Sequence, residues 1–217
     1  INYSKKLEKK KIDNFESNLI SAVYYLEHKD FDKASVYSEK LKNKSQPGSI
    51  QNFLSASLNN WVNFKNTKNL NTALFQLEDI PKKFENLKNI QKIFAHCYFD
   101  SDQTDKLFKR LASRSDIDYS RYFFFHANYL ISKNKEEKAK KILETSLNLH
   151  PKNLILNQLK IDIKQREAFK NQFDCKDPRH VVAEIFYVVA NGLASQQDYT
   201  TANFYLNLAK YLNPNFI

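Results

Sequence analysis

The chain has no methionine, two glycines, five prolines, two cysteines and one tryptophan in 217 residues. Two glycines cannot build a glycine-rich phosphate loop or a strained nucleophile elbow, so nucleotide-cradling and serine-hydrolase chemistry find no support. A sheet protein of this length needs many glycine or asparagine turns between short alternating runs, and few are present. Scarce turn residues suit helices. No apolar run approaches the roughly 18 residues that span a bilayer, and no hydrophobic signal segment opens the chain. A chain that starts at Ile1 without any methionine reads as a fragment or processed product. It is expected to continue past Ile217, because repeat arrays need a polar capping unit and none ends this one.

Arginine is scarce beside lysine, although the formal net charge is +10. A basic chain attracts polyanions through counterion release, which keeps an RNA or acidic-lipid binder as an alternative. Arginine is the residue that makes bidentate base and phosphate contacts, and its scarcity weighs against nucleic acid. The lysines also alternate with acids, as in "KNKEEKAKKILE", the pattern of solvated helix faces. The densest basic cluster, Lys5, Lys6, Lys9, Lys10 and Lys11, falls in a segment, 1–14, expected to be helical.

Self-similarity carries more information. From Phe123, Ala127 is followed at twelve-residue steps by Ala139 and Pro151, and from Phe186, Ala190 is followed in the same way by Ala202 and Pro214. The two stretches are 63 residues apart. Further twelve-residue pairs are Ala22 with Ala34, Trp61 with Ala73, and Ala95 with Leu107, and Ala73 lies 34 residues before Leu107. Apolar residues recur every three or four positions between these landmarks, as at Ile20, Val23, Tyr24 and Leu26, which predicts amphipathic helices. Short links force neighbouring helices antiparallel, and an alanine at a crossing lets their axes approach. Proline ends the pattern at His150-Pro151 and Asn213-Pro214. The aromatic content of 14% then fills the gaps between helices.

These residues resemble the tetratricopeptide repeat family, in about five copies at 15–48, 54–87, 88–121, 120–153 and 183–216. The resemblance implies an all-α, right-handed solenoid of antiparallel helix pairs. Four pairs are expected over 15–153, an irregular unit of one helix (153–169) and a loop (170–178) within 154–182, and a last pair over 183–217. Trp61 and Leu107 depart from the family's small residues, and Pro81 predicts an early turn in the second copy.

Cys97 reads as a small buried hydrophobe within a helix. Cys175, near Lys176, Arg179 and His180, leaves a thiol- or metal-active module as a further alternative. A Cys97–Cys175 disulfide requires the two to be neighbours in space, which sequence does not decide. His28, His96, His126, His150 and His180 are scattered, and no metal, cofactor or catalytic constellation emerges, so no enzyme activity is expected.

Recognition remains. In the family the first helix of each pair lines the concave face, where extended peptides bind. By resemblance that face carries Asn59 and Val62, then Lys92 and His96, then Arg121, Phe124 and Asn128, and finally Tyr187 and Asn191, with a protein or peptide as partner. Asn128 and Asn191 would grip a peptide backbone and Phe124 and Tyr187 would supply platforms. The family's carboxylate clamp is absent, since Leu19, Val23, Leu58 and Val62 stand where it needs polar groups. The compartment stays open between cytoplasm and, were an export signal to precede Ile1, a bacterial periplasm.

Overall fold

A computed structural model describes residues 6–7, 9–112, 120–165 and 173–215. Among these residues the protein forms eleven α-helices and no strand. They are α1 (Phe15–Glu27), α2 (Phe31–Lys42), α3 (Ile50–Asn63), α4 (Leu70–Gln76), α5 (Glu85–Tyr98) and α6 (Thr104–Ala112). After these come α7 (Ser120–Ser132), α8 (Glu136–Leu149), α9 (Leu154–Gln165), α10 (Pro178–Ser195) and α11 (Tyr199–Leu212). None is long and apolar enough to cross a membrane. In the basic N-terminal segment residues 6, 7 and 9 are helical, while Lys5 lies outside the described residues.

Side-chain caps explain where most of these helices begin. Asn14 accepts from the Ser17 backbone N–H while Ser17 reaches back to Asn14, a reciprocal box that starts α1. Asp30, Ser49, Asn69 and Asp198 cap α2, α3, α4 and α11 in the same one-sided way. Helix α10 starts at Pro178, five residues earlier than position 183. The reason is local: Asp177 accepts from the Arg179 N–H, and proline at the first helical position loses no hydrogen bond. The irregular stretch is correspondingly shorter. Helix α9 is described to Gln165, and 166–172 of the expected helix and loop lie outside the described residues.

One turn recurs at four of the helix pairs. Lys29, Asp100, Asn134 and Gln197 all have φ between 52° and 66°, and each links a first helix to its second. At every one, the left-handed residue donates to the carbonyl three residues back and its successor to the carbonyl five back, as in Lys29 to Leu26 and Asp30 to Tyr25. This is the Schellman closure, here built without glycine. A side chain in that region costs about 1–2 kcal/mol, so helix packing on both sides must hold each turn. Asp100 and Asn134 are 34 residues apart, and Asn134 and Gln197 are 63 apart. The α3–α4 pair is the exception: 3₁₀ turns flank a seven-residue α4, shortened ahead of Pro81.

The small landmarks are interior. Ala22, Ala34, Ala73, Ala95, Ala127 and Ala139 are fully buried, as is Trp61, while Leu107 is only half-buried. Helix α1 packs on α2, α2 on α3, α7 on α8, and α10 on α11.

The chain divides into two compact units, one formed by 1–95 with 177–217 and the other by 96–176. In the first unit the last pair packs on earlier helices: α10 on α3 and α11 on α1. In strict nearest-neighbour stacking the first pair would leave one apolar flank to solvent. Here Leu19, Val23 and Leu26 are all buried. Arg179, which hydrogen-bonds Asp177 at the start of α10, lies 3.4 Å from Glu27 at the end of α1.

The second unit comprises the end of α5 and helices α6 to α9, in which α6 packs on α7 and α9 on both α7 and α8. Asp100, in one turn, pairs with Lys133, beside the next turn, and with Lys176. Burial opposes the Asp100 charge, yet hydrogen bonds from these two lysines hold its carboxyl below the usual range. Cys97 and Cys175 form a disulfide, one residue inside each end of the unit.

Candidate functional site

In the second unit, α7 forms the floor of a cleft of about 500 Å³ walled by α6 and α8. The floor contributes Phe123 and His126, one helical turn apart and both buried. Asp105 and Lys109 come from successive turns of α6. From α8 come Lys138, Lys141, Ile142, Thr145 and Leu149, which form one stripe because Ala139, Leu143 and Ser146 turn the adjacent face inward. Leu149 is 63% exposed, unusual for a large apolar side chain.

One polar group sits at the base. His126 Nε2 lies 2.7 Å from Asp105 Oδ1, and the ring stacks on Phe108 at 5.1 Å. An ionised carboxylate can only accept, so the ring carries its proton on Nε2. Burial pushes His126 below its ordinary pKa and the Asp105 contact restores only part of that, so the ring is neutral at neutral pH. For Asp105, burial opposes ionisation, but hydrogen bonds from Lys109 (2.9 Å) and His126 keep its carboxyl below the usual range. Acid, histidine and one lysine thus satisfy one another. The described residues contain no group of three metal-ligating side chains.

A larger cleft of about 810 Å³ opens on the other flank of α8, between Glu136, Glu137, Lys140, Glu144, Lys160 and Lys164. Its signs are mixed, and Lys140 already bridges Glu136 and Glu137 at 2.9 Å. It has the character of a solvated charged surface.

The first-helix residues expected to face a partner fall into two groups. Asn59, Val62, Phe124 and Asn128 are buried, between 1% and 6% exposed, which corrects the expectation that they line an open groove. Asn59 donates to Ser38 Oγ at 3.0 Å and Glu39 at 2.6 Å, tying α3 to α2. Asn128 donates to the Phe124 carbonyl at 2.7 Å, one turn back, and its Oδ1 is buried without a partner among the described residues. Lys92 and His96 are half-buried: Lys92 pairs with Glu78 at 2.5 Å, and the His96 ring lies 2.9 Å from Ser101 Oγ, its pKa lowered by burial. Arg121 is half-buried over the Phe125 ring at 5.2 Å, Tyr187 is half-buried, and Asn191 is exposed.

The α6–α7–α8 cleft was not singled out by spacing. Its signal is the run Lys138, Lys141, Ile142, Thr145, Leu149, in which two apolar residues, Ile142 and Leu149, share a stripe with lysines and a threonine. Cys97 and Cys175, whose pairing the sequence left undecided, are bonded to each other, and no described cysteine is a free thiol. Comparison with protein-family models, curated proteins and solved structures finds no match.

Proposed function

We propose that this chain is a non-enzymatic protein-interaction module, an array of antiparallel helix pairs resembling the tetratricopeptide solenoid, that holds a segment of a partner protein. The observation that carries the reading is the open cleft over Phe123, with Ile142 and Leu149 presented to solvent on its α8 wall. A concave, mainly apolar surface with few placed polar groups is the usual form of a binding site. Solvent-facing leucine along such a surface gains by being covered, at about 25 cal/mol per Å² of apolar area. The recurrent left-handed turns at 34- and 63-residue spacings support the repeat reading. Of the two compartments left open, the Cys97–Cys175 bond favours an oxidising one, where disulfides persist.

A photo-crosslinking residue at the exposed Thr145 position, in the full chain expressed in its native cell, tests this reading. A discrete protein adduct is expected, and Leu149→Asp abolishes it without changing helix content. An adduct insensitive to Leu149→Asp, or one made only with nucleic acid or lipid, overturns the assignment.

A further inference from the structure

We infer that the occupant of the α6–α7–α8 cleft is an acidic amphipathic helix of a partner protein, an inference that rests on the interaction reading above. Three lysines and one aspartate line the cleft. Asp105 is already engaged by Lys109 and His126, so that trio offers a partner no unbalanced charge. Lys138 and Lys141 are different. Both are exposed on the α8 wall, and neither is held in an ion pair among the described residues.

Helix α8 segregates its charges. Glu136, Glu137 and Glu144 line the opposite cleft, where Lys140 meets the first two, and no acid of α8 lines the cleft of Lys138 and Lys141. The flank that carries the apolar residues is thus also the flank with surplus positive charge. A partner there must supply apolar side chains for Ile142 and Leu149 and carboxylates for the two lysines. A basic partner would place like charges together, which suppresses binding.

The spacing sets the shape of the occupant. Lys138, Ile142, Thr145 and Leu149 lie at steps of four, three and four residues and run roughly 16 Å along α8. That is the pattern one helix presents to another packed alongside it, and a helix laid in a groove is read out through anchors at these steps. Two to three turns of partner helix match the stripe, with acids beside its first turn and apolar residues beside its last.

A yeast-displayed library of random 15-residue peptides, sorted for binding to the full oxidised chain, tests the inference. Enriched clones should carry apolar residues at three- and four-residue spacing together with a surplus of Asp and Glu. Their affinity should fall about tenfold or more on Lys138→Glu/Lys141→Glu and weaken with added salt. Because the whole chain is basic, Lys160→Glu/Lys164→Glu, which removes the same charge elsewhere, should leave affinity within about twofold. Equal losses in the two double variants mean attraction by net charge alone and overturn the inference. Enrichment of neutral or basic clones that still require Leu149 overturns the acidic partner and leaves the interaction reading standing. Failure to enrich any clone sensitive to Leu149→Asp removes both.

Discussion

Replacing Cys97 and Cys175 together with alanine is expected to destabilise the 96–176 unit by about 4 kcal/mol. The two cysteines are 78 residues apart, and a crosslink that closes so long a loop removes a correspondingly large entropy from the unfolded ensemble. Little else is available to replace it. The bond lies one residue inside both ends of the unit, and beside it Asp100 holds Lys176 by an ion pair more than a third exposed, which is worth far less. Peptide-resolved hydrogen exchange is the appropriate probe, because a chain of two units has no single unfolding free energy. Amides of α7 and α8 should exchange about a thousandfold faster in the double variant, and the reduced wild-type protein should behave alike. Unchanged exchange in both would mean that the bond does not restrain the unit.

Trp61→Ala is the second large effect, and it sets repeat pattern against packing. By register Trp61 occupies a position where the other copies carry alanine, so a purely sequence-based view would welcome the substitution. The structure opposes it. Trp61 is fully buried, its ring lies 4.2 Å from that of Phe64, and its indole N–H donates to Gln91 at 2.9 Å. Gln91, itself 1% exposed, donates onward to Ser57 at 2.9 Å and so joins α5 to α3. Removing the indole opens a cavity, at about 3–5 kcal/mol, and strands the Gln91 carbonyl oxygen, at about 1–3 kcal/mol more. Trp61→Phe, which keeps most of the volume, should show mainly the second loss. Peptide-resolved hydrogen exchange over α3 and α5 measures both, since the chain has two units. A neutral Trp61→Ala would contradict the α3–α5 packing.

The sequence reveals the helical pairs because their constraints are local. Capping groups such as Asn14 and Asp198 and prolines such as Pro151 and Pro214 leave marks within a few residues of the boundaries they set. Burial of the alanines at 22, 34, 127 and 139 follows from spacing alone. The recurring left-handed turn was hidden because lysine, aspartate, asparagine and glutamine occupy it instead of glycine. Only the flanking helices impose that conformation, and single positions do not announce it.

Long-range placement was harder to read. The packing of α10 on α3 and α11 on α1 joins residues more than 110 positions apart, and each helix alone shows the same apolar face whichever neighbour covers it. The residues expected to face a partner carry the same ambiguity. Asn59 and Asn128 have the chemistry to grip a peptide, but Ser38, Glu39 and the Phe124 carbonyl engage their amides internally. Nothing in the spacing marks Leu149 and Ile142, of which one is exposed and the other half-buried.

The central claim is that a partner helix seats between α6 and α8 over Phe123. Methyl-labelled isoleucine and leucine spectra of the full chain, titrated with the tightest selected acidic peptide, test it most directly. Ile142 and Leu149 should shift together and saturate, while Leu154 and Leu206, exposed elsewhere, stay in place. Shifts centred on Leu154 or Leu206, with Ile142 and Leu149 unmoved at saturation, would contradict the account.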